Sequence, residues 1–290
     1  MSSEKLPITV LIAAKNEAVN LPKCIRSVGN MERVVVIDSH STDGSAELIA
    51  ELTAECVQFD WNGEYPKKRQ WALDNLDFTT PWVLLLDADE QVTPELEAEI
   101  SQAINSPNPS DAYLIEKGFH FMGRRMKYGG FSHSAVLLFR VGEARFEKVE
   151  VEETSGFDME VHERILVDGS IAKINAPLVH DDFKGLQAYI DRHNKYSSWE
   201  AAIRLKEETD DANRIKPSLF GDVQQKRRFL KHLAMKMPFE PWAWFFYHFI
   251  LRLGFLEGRR GLIASQIRRQ YITNVRAKIY ETSIGRKEQV

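Results

Sequence analysis

The stretch WVLLLDADEQVTPELEAEI, residues 82–100, decides how the chain is read. It opens with a run that is apolar at odd and even positions alike, the pattern of a strand covered on both faces. Asp87, Asp89 and Glu90 follow at once. Carboxylates set that close repel one another, so a cation among them is the expectation. Asp87 and Asp89 stand two apart where regular pairing ends, and both can reach one ion if the turn curls between them. Magnesium suits such a pair, because it takes one or two protein carboxylates and completes its shell with water and phosphate oxygens. The plain alternative is a strand end with a solvated turn. Behind the acids, VTPELEAEISQAI reads as a helix with Thr93 as N-cap and Pro94 at its first position, where a missing N–H is tolerated.

Upstream, apolar runs alternate with helical stretches. ITVLIAA (8–14) and VVVID (34–38) read as buried strands, and a weaker one lies near CVQF (56–59). LPKCIRSV, AELIAEL and KKRQWALDNL read as the helices between them. Continuous apolar strands alternating with helices predict an α/β domain with a mostly parallel sheet flanked on both faces. Ligands of such sheets bind beyond the carboxyl ends of the strands. The loops KNEAVN, DSHSTDGS and DADE occupy those places. Neither GxGxxG nor a P-loop occurs, which disfavours a dinucleotide fold or a P-loop NTPase. Lys68 and Arg69 open a helix, where a guanidinium suits phosphate oxygens and the helix N-terminus favours anions. The bland reading of that pair is a solvated basic face.

After about residue 108, aromatic and β-branched residues with internal glycines predict antiparallel strands and loops. A long helix is expected over 184–208, with Leu186, Ile190, His193, Ser197 and Ala201 on one face. The expected organisation is a catalytic domain over 1–208, a linker over 209–218 and a helical extension over 219–290.

The apolar fraction of 43% allows a sizeable core. The opening MSSEKLPITVLIAAKNE lacks the pattern of a signal peptide, and Cys24 and Cys56 lack metal-ligand spacing, so a cytoplasmic protein with reduced thiols is expected. The net charge of −4 hides an asymmetry: from Asn213 onward there are 16 Lys and Arg against 5 Asp and Glu, and before it 22 against 37. Such a tail faces something anionic. Nucleic acid is the poorer partner, since no nucleic-acid module is recognisable and the acidic body opposes a polyanion.

Taken in order, VLIAAKNEAVNL, VVVIDSHSTDGS and WVLLLDADE make the sequence resemble the family 2 glycosyltransferases, which have the GT-A fold. The resemblance covers roughly residues 8–183. Within the family, KKRQWAL, VHERILVDGSI and PLVHDDFKGLQAYIDRHNKYS look closest to bacterial enzymes that add sugars to lipopolysaccharide core or similar envelope glycans. The resemblance implies an inverting transfer of a hexose from a nucleoside-diphosphate sugar, with UDP the expected nucleotide, to a lipid-linked or lipopolysaccharide-core glycan. It implies Ala14 and Glu17 near the nucleoside, Asp38 near base or ribose, and Asp87 and Asp89 on a divalent metal, Mg2+ or Mn2+, at the diphosphate. His180 would complete the metal site, and Glu163 in MEVHERI would be the catalytic base, with Glu160 its less favoured neighbour. Many relatives carry a second acid where this chain has Ser39, which leaves the base contact open. A sugar-nucleotide nucleotidyltransferase is the alternative of similar fold, although AAKNEAVN lacks the glycines of its loop. A non-catalytic membrane-associated scaffold is the other.

PFEPWAWFFYHFILRLGFLEGRRG (238–261) is too short in its apolar core to span a bilayer, which takes ~20 apolar residues. A helix lying in the headgroup region of an anionic membrane, with Trp242, Trp244, Phe245, Phe246 and Phe249 inserted, is the expectation. The protein would then be peripheral on the inner face of the plasma membrane. A hydrophobic hairpin packed on protein is the competing reading.

Overall fold

The computed structural model describes residues 5–147, 165–181, 185–209 and 237–287. It divides into two compact units, one of residues 1–120 and 132–182, the other of 121–131 and 183–290. This division differs from the expected boundaries. The helix assigned to the catalytic domain falls in the second unit, together with a loop inserted between two strands of the sheet.

In the first unit, β1 (Leu6–Ala14) is the central strand. It pairs in parallel with β2 (Met31–Asp38) on one side and with β4 (Trp82–Asp87) on the other. Every residue of β1 from Ile8 to Ala14 is buried, as a strand covered on both faces must be. β3 (Glu55–Gln58) lies beyond β2. The helices α1 (Leu21–Ser27), α2 (Ser45–Glu51) and α3 (Lys68–Asn75) connect these strands. The chain builds outward from β1 to β3 and then returns to place β4 on the other flank of β1. That reversal is a switch point of the kind where open α/β sheets bind ligands.

Beyond β4 the sheet turns mixed. The order is β3-β2-β1-β4-β8-β6-β12-β5, with β11 (Ile171–Lys173) also on β6. β8 (His133–Arg140) runs antiparallel to both β4 and β6 (Ala112–Phe121), the pattern expected after residue 108. The short β12 (Leu178–His180) is parallel to β6 and antiparallel to β5 (Glu90–Gln91). Between them in sequence, α4 (Pro94–Ile104) begins as expected: Thr93 Oγ1 accepts from Leu96 N–H at 3.1 Å, and Leu96, Ile100 and Ile104 form the buried face. β9 (Ala144–Phe146) and β10 (Ile165–Val167) form a separate antiparallel pair.

The second unit contains β7 (Arg124–Arg125) in its inserted loop, then α5 (Leu186–Thr209), α6 (Glu240–Phe246) and α7 (Arg259–Lys287). A π-helical turn over Tyr247–Leu251 and a 3-10 turn over Gly254–Glu257 join α6 to α7. The expected face of α5 holds in part. Ser197 and Ala201 are buried, Ala201 against Tyr271, Ile272 and Val275, but Leu186 and Ile190 are exposed. Polar contacts reinforce the pairing of α5 with the other helices: Arg204 meets the buried Glu240 at 2.9 Å and Tyr271 donates to Glu200 at 2.5 Å. The turn into α7 needs glycine, because a Cβ on Gly261 would stand 1.9 Å from the Gly254 carbonyl oxygen. Among the described residues no helix is long and apolar enough to cross a membrane.

Candidate active site

The register of β1 sets the frame of the site. Ala14 is opposite Asp38 and Ala13 is opposite Asp87, so two acids flank β1 at the carboxyl ends of β2 and β4. The first loop and the second are tied together. Asn16 takes the left-handed conformation (φ 56°), which asparagine tolerates, and its side-chain carbonyl accepts from Thr42 N–H at 2.9 Å. Asn16 N–H donates to Ser41 Oγ, Glu17 N–H to Ser45 Oγ and Ala18 N–H to Asp43 Oδ2. The Glu17 carboxylate accepts from Asn20 at 2.7 Å. Asp38 is buried, and its carboxylate accepts from Ser41 N–H, the Ser41 hydroxyl and Gln58. Ser39 is buried beside it, and its hydroxyl has no hydrogen-bond partner among the described residues.

The Ala14 carbonyl accepts from Lys68 Nζ at 2.7 Å, and Lys68 is 1% exposed. The lysine expected to meet phosphate thus has its ammonium buried against the end of β1. Its neighbour Arg69 forms an ion pair with Asp87 Oδ1. Lys117, on β6, holds the other Asp87 oxygen at 2.9 Å and reaches Glu90 Oε1 at 2.6 Å. Glu90 in turn accepts the Asp87 N–H at 2.9 Å. Two cations therefore balance two carboxylates in a closed cluster that clamps the DADE turn. Burial alone would raise the Asp87 carboxyl, but Arg69 and Lys117 outweigh it and hold it well below the usual carboxylate range. Burial pushes Glu90 up against the pull of Lys117, with Asp87 adding to the rise. Burial lowers Lys117, yet the two acids more than reverse that and raise it.

Asp89 points elsewhere. His180 lies opposite Glu90 in the β12–β5 pair, and Asp181 N–H donates to Asp89 O at 3.1 Å. These contacts bring His180 Nε2 to 3.6 Å from Asp89 Oδ2. Burial would lower the imidazole, but Asp89, by hydrogen bond and by charge, lifts it to about 9. The second oxygen, Asp89 Oδ1, is buried with no hydrogen-bond partner among the described residues. Among the described residues, no group of three His, Cys, Asp or Glu is gathered for a metal ion. An unsatisfied carboxylate oxygen beside an imidazole still fits a divalent cation that keeps water and phosphate oxygens as its remaining ligands. The structure brings Asp89 and His180 together and turns the Asp87 side chain toward Arg69 and Lys117. Glu163 and Glu160 lie outside the described residues.

Residues 9–132 match the family model described as glycosyl transferase family 2. Over these residues the chain is similar to the family 2 glycosyltransferases. The match spans all three loops, and the sheet order around β1 and β4 is that of the GT-A fold expected from the sequence. A lipopolysaccharide core biosynthesis glycosyltransferase of Rhizobium meliloti is 28% identical over 210 residues, 68% of this chain and 71% of the relative. An uncharacterized glycosyltransferase of Rickettsia felis is 25% identical over 265 residues, 90% of this chain and 84% of the relative. A solved mannosyltransferase of Pyrobaculum calidifontis, in complex with GDP-Man and Mn2+, covers 96% of this chain and 88% of its own at 14% identity, with a TM-score of 0.49. The protein is thus a glycosyltransferase, and the nucleotidyltransferase and scaffold alternatives are set aside.

Lys117 is the residue of this glycosyltransferase's site that sequence reasoning missed. The signal was a lysine inside AYLIEKGFHF, a strand whose neighbours are largely apolar, where a charge persists only if it is paired. Cys24 and Cys56 are both free thiols.

Proposed function

We propose that this glycosyltransferase moves a hexose, with inversion, from a nucleoside-diphosphate sugar to a lipid-linked or lipopolysaccharide-core glycan at an anionic membrane surface. UDP is the nucleotide that the family resemblance implies, with Ser39 leaving the base contact open. The observation that carries the reading is the unsatisfied Asp89 Oδ1 beside His180 at the carboxyl end of β4, in the stretch similar to family 2. Asp89 and His180 would hold a divalent cation there, and that ion supplies charge neutralisation for the diphosphate leaving group. Ala14, Glu17 and Asp38 line the ends of β1 and β2 where the nucleoside is proposed to sit, with Ser39 buried beside Asp38. Asp87, with Arg69, belongs to the donor side through the cluster that fixes the turn. Lys68 supports that side by holding the end of β1.

In the transfer, an acceptor hydroxyl oxygen bonds to the anomeric carbon as the bond from that carbon to the phosphate oxygen breaks. The electron pair leaves with the nucleoside diphosphate. The hydroxyl proton passes to a carboxylate, assigned to Glu163. A donor screen tests the reading: nucleotide release from a panel of nucleotide sugars, with and without Mn2+ or Mg2+. Metal-dependent release from one donor class is the expected result; release that ignores the metal, or none above background from any donor, would sink it.

A further inference from the structure

The C-terminal unit carries an apolar stripe that is exposed among the described residues. Phe239, Trp242, Phe246 and Ile250 recur three and four residues apart, one face of the turns running from α6 into the π-helical segment. Leu253 and Leu256 extend it, and the neighbouring Leu251 is 73% exposed. The other face is the packed one. Trp244 lies against the cluster of Ala201, Tyr271, Ile272 and Val275, and the His248 ring is stacked on Phe131 and on Trp244. This corrects the expected set of inserted residues: Trp244, Phe245 and Phe249 are partly buried, whereas Trp242 and Phe246 face outward. An exposed apolar surface of this extent marks a site of interaction.

The distribution of charge along the same segment selects the partner. Its two carboxylates, Glu240 and Glu257, are both buried. Glu240 is held by Arg204 and Arg276, and Glu257 accepts from the N–H groups of Lys127 and Tyr128 at 2.6 and 2.9 Å. The charges left outside between residues 237 and 260 are cations, with Arg252 and Arg259 exposed. Arg269 stands 4.3 Å over the Trp242 ring, so a guanidinium borders the stripe itself. The inserted loop adds the exposed Arg124 and Lys127. That loop is fastened to the segment: Gly129 N–H donates to the Arg252 carbonyl at 2.8 Å, and His248 Nδ1 donates to the Gly129 carbonyl at 2.6 Å. An apolar stripe bordered by cations, with its carboxylates withdrawn inward, is complementary to an anionic bilayer.

The geometry points to a monotopic docking face: α6 and the π-helical turn lie in the plane of an anionic bilayer, the stripe among the acyl chains and the arginines at the phosphates. The loop 121–131 is thereby held at the headgroup level. This inference rests on the proposed membrane-borne acceptor and names the surface that meets the lipid.

Flotation of the full chain with phosphatidylcholine vesicles, with and without phosphatidylglycerol, tests it. The protein should float with the anionic vesicles, less so in high salt. Trp242→Ser with Phe246→Ser should lower partitioning about 100-fold, roughly tenfold for each ring left in water. The same variant should keep its donor hydrolysis. If the folded variant floats as well as the parent, the stripe is not the docking face, although the membrane reading stands. Failure of the unaltered chain to bind anionic vesicles overturns both. A dimer that the variant dissociates would then make the stripe a contact between copies. In the unaltered protein, acyl chains brominated near the headgroup should quench tryptophan fluorescence; no quenching in bound protein also overturns the proposal.

Discussion

Lys117 and Asp87 meet at 2.9 Å although thirty positions separate them in the chain, and the contact locks the end of β4 to β6. Removing the cation leaves Glu90, which is fully buried, without its charge partner. Lys117→Met is therefore expected to destabilise the protein by about 3–5 kcal/mol in denaturant unfolding. Glu90→Gln in the same chain should restore part of that loss, because the amide oxygen still accepts the Asp87 N–H while the buried charge is gone. Additive losses in the double-mutant cycle would show that Lys117 and Glu90 are not coupled.

Asp89→Ala should abolish Mn2+-dependent donor binding in calorimetry while the protein still folds, with some loss of stability because His180 loses its carboxylate partner. His180→Ala should weaken metal dependence in the same direction. Unaltered metal dependence in the Asp89 variant would remove Asp89 from the metal site.

Glu163→Gln should leave donor affinity intact and reduce transfer to acceptor by ~10²–10⁴-fold, because an amide keeps the shape and takes no proton. Normal turnover in this variant, with loss in Glu160→Gln, would move the base to Glu160.

His248 gives the C-terminal unit a pH dependence. Burial lowers its pKa, the hydrogen bond to the Gly129 carbonyl opposes this, and Arg268 and Arg252 lower it further. Among the described residues the buried Nε2 has no partner to accept a proton's hydrogen bond. Because the folded value lies below the unfolded one, the unfolded chain binds more protons in acid. Stability contributed by neutral His248 is complete above the unfolded value of about 6.5 and is lost as pH falls below it. Thermal unfolding at pH 7.5 and 5.5 should show a lower midpoint in acid, and His248→Gln should reduce the difference. His193, also lowered chiefly by burial, contributes in the same sense.

The sequence disclosed the parts of the fold that are specified locally. β1, β2 and β4 are legible because each is continuously apolar and ends in a polar loop, and α4 because Thr93 and Pro94 mark its start. What was hidden depends on partners distant in sequence. Arg69 looked like a phosphate ligand because nothing near it in the chain reveals the ion pair with Asp87. Lys117 carries no local mark of its two carboxylates, since the β6–β8 and β12–β5 pairings that bring it and His180 to the turn are non-local. In the tail the composition was readable but its orientation was not. Which aromatic rings face inward is decided by α5 and α7, through contacts such as Trp244 with the Tyr271 cluster.

The hydrogen bonds that join Asn16, Glu17 and Ala18 to Ser41, Thr42, Asp43 and Ser45 carry a thermodynamic consequence. The rim formed by the first two loops is assembled before any ligand arrives. A molecule entering there gives up its own rotational and conformational freedom, and the loops give up little more. Association at that rim is then a rigid-body event, with a small heat-capacity change for the area covered and no slow ordering step ahead of it.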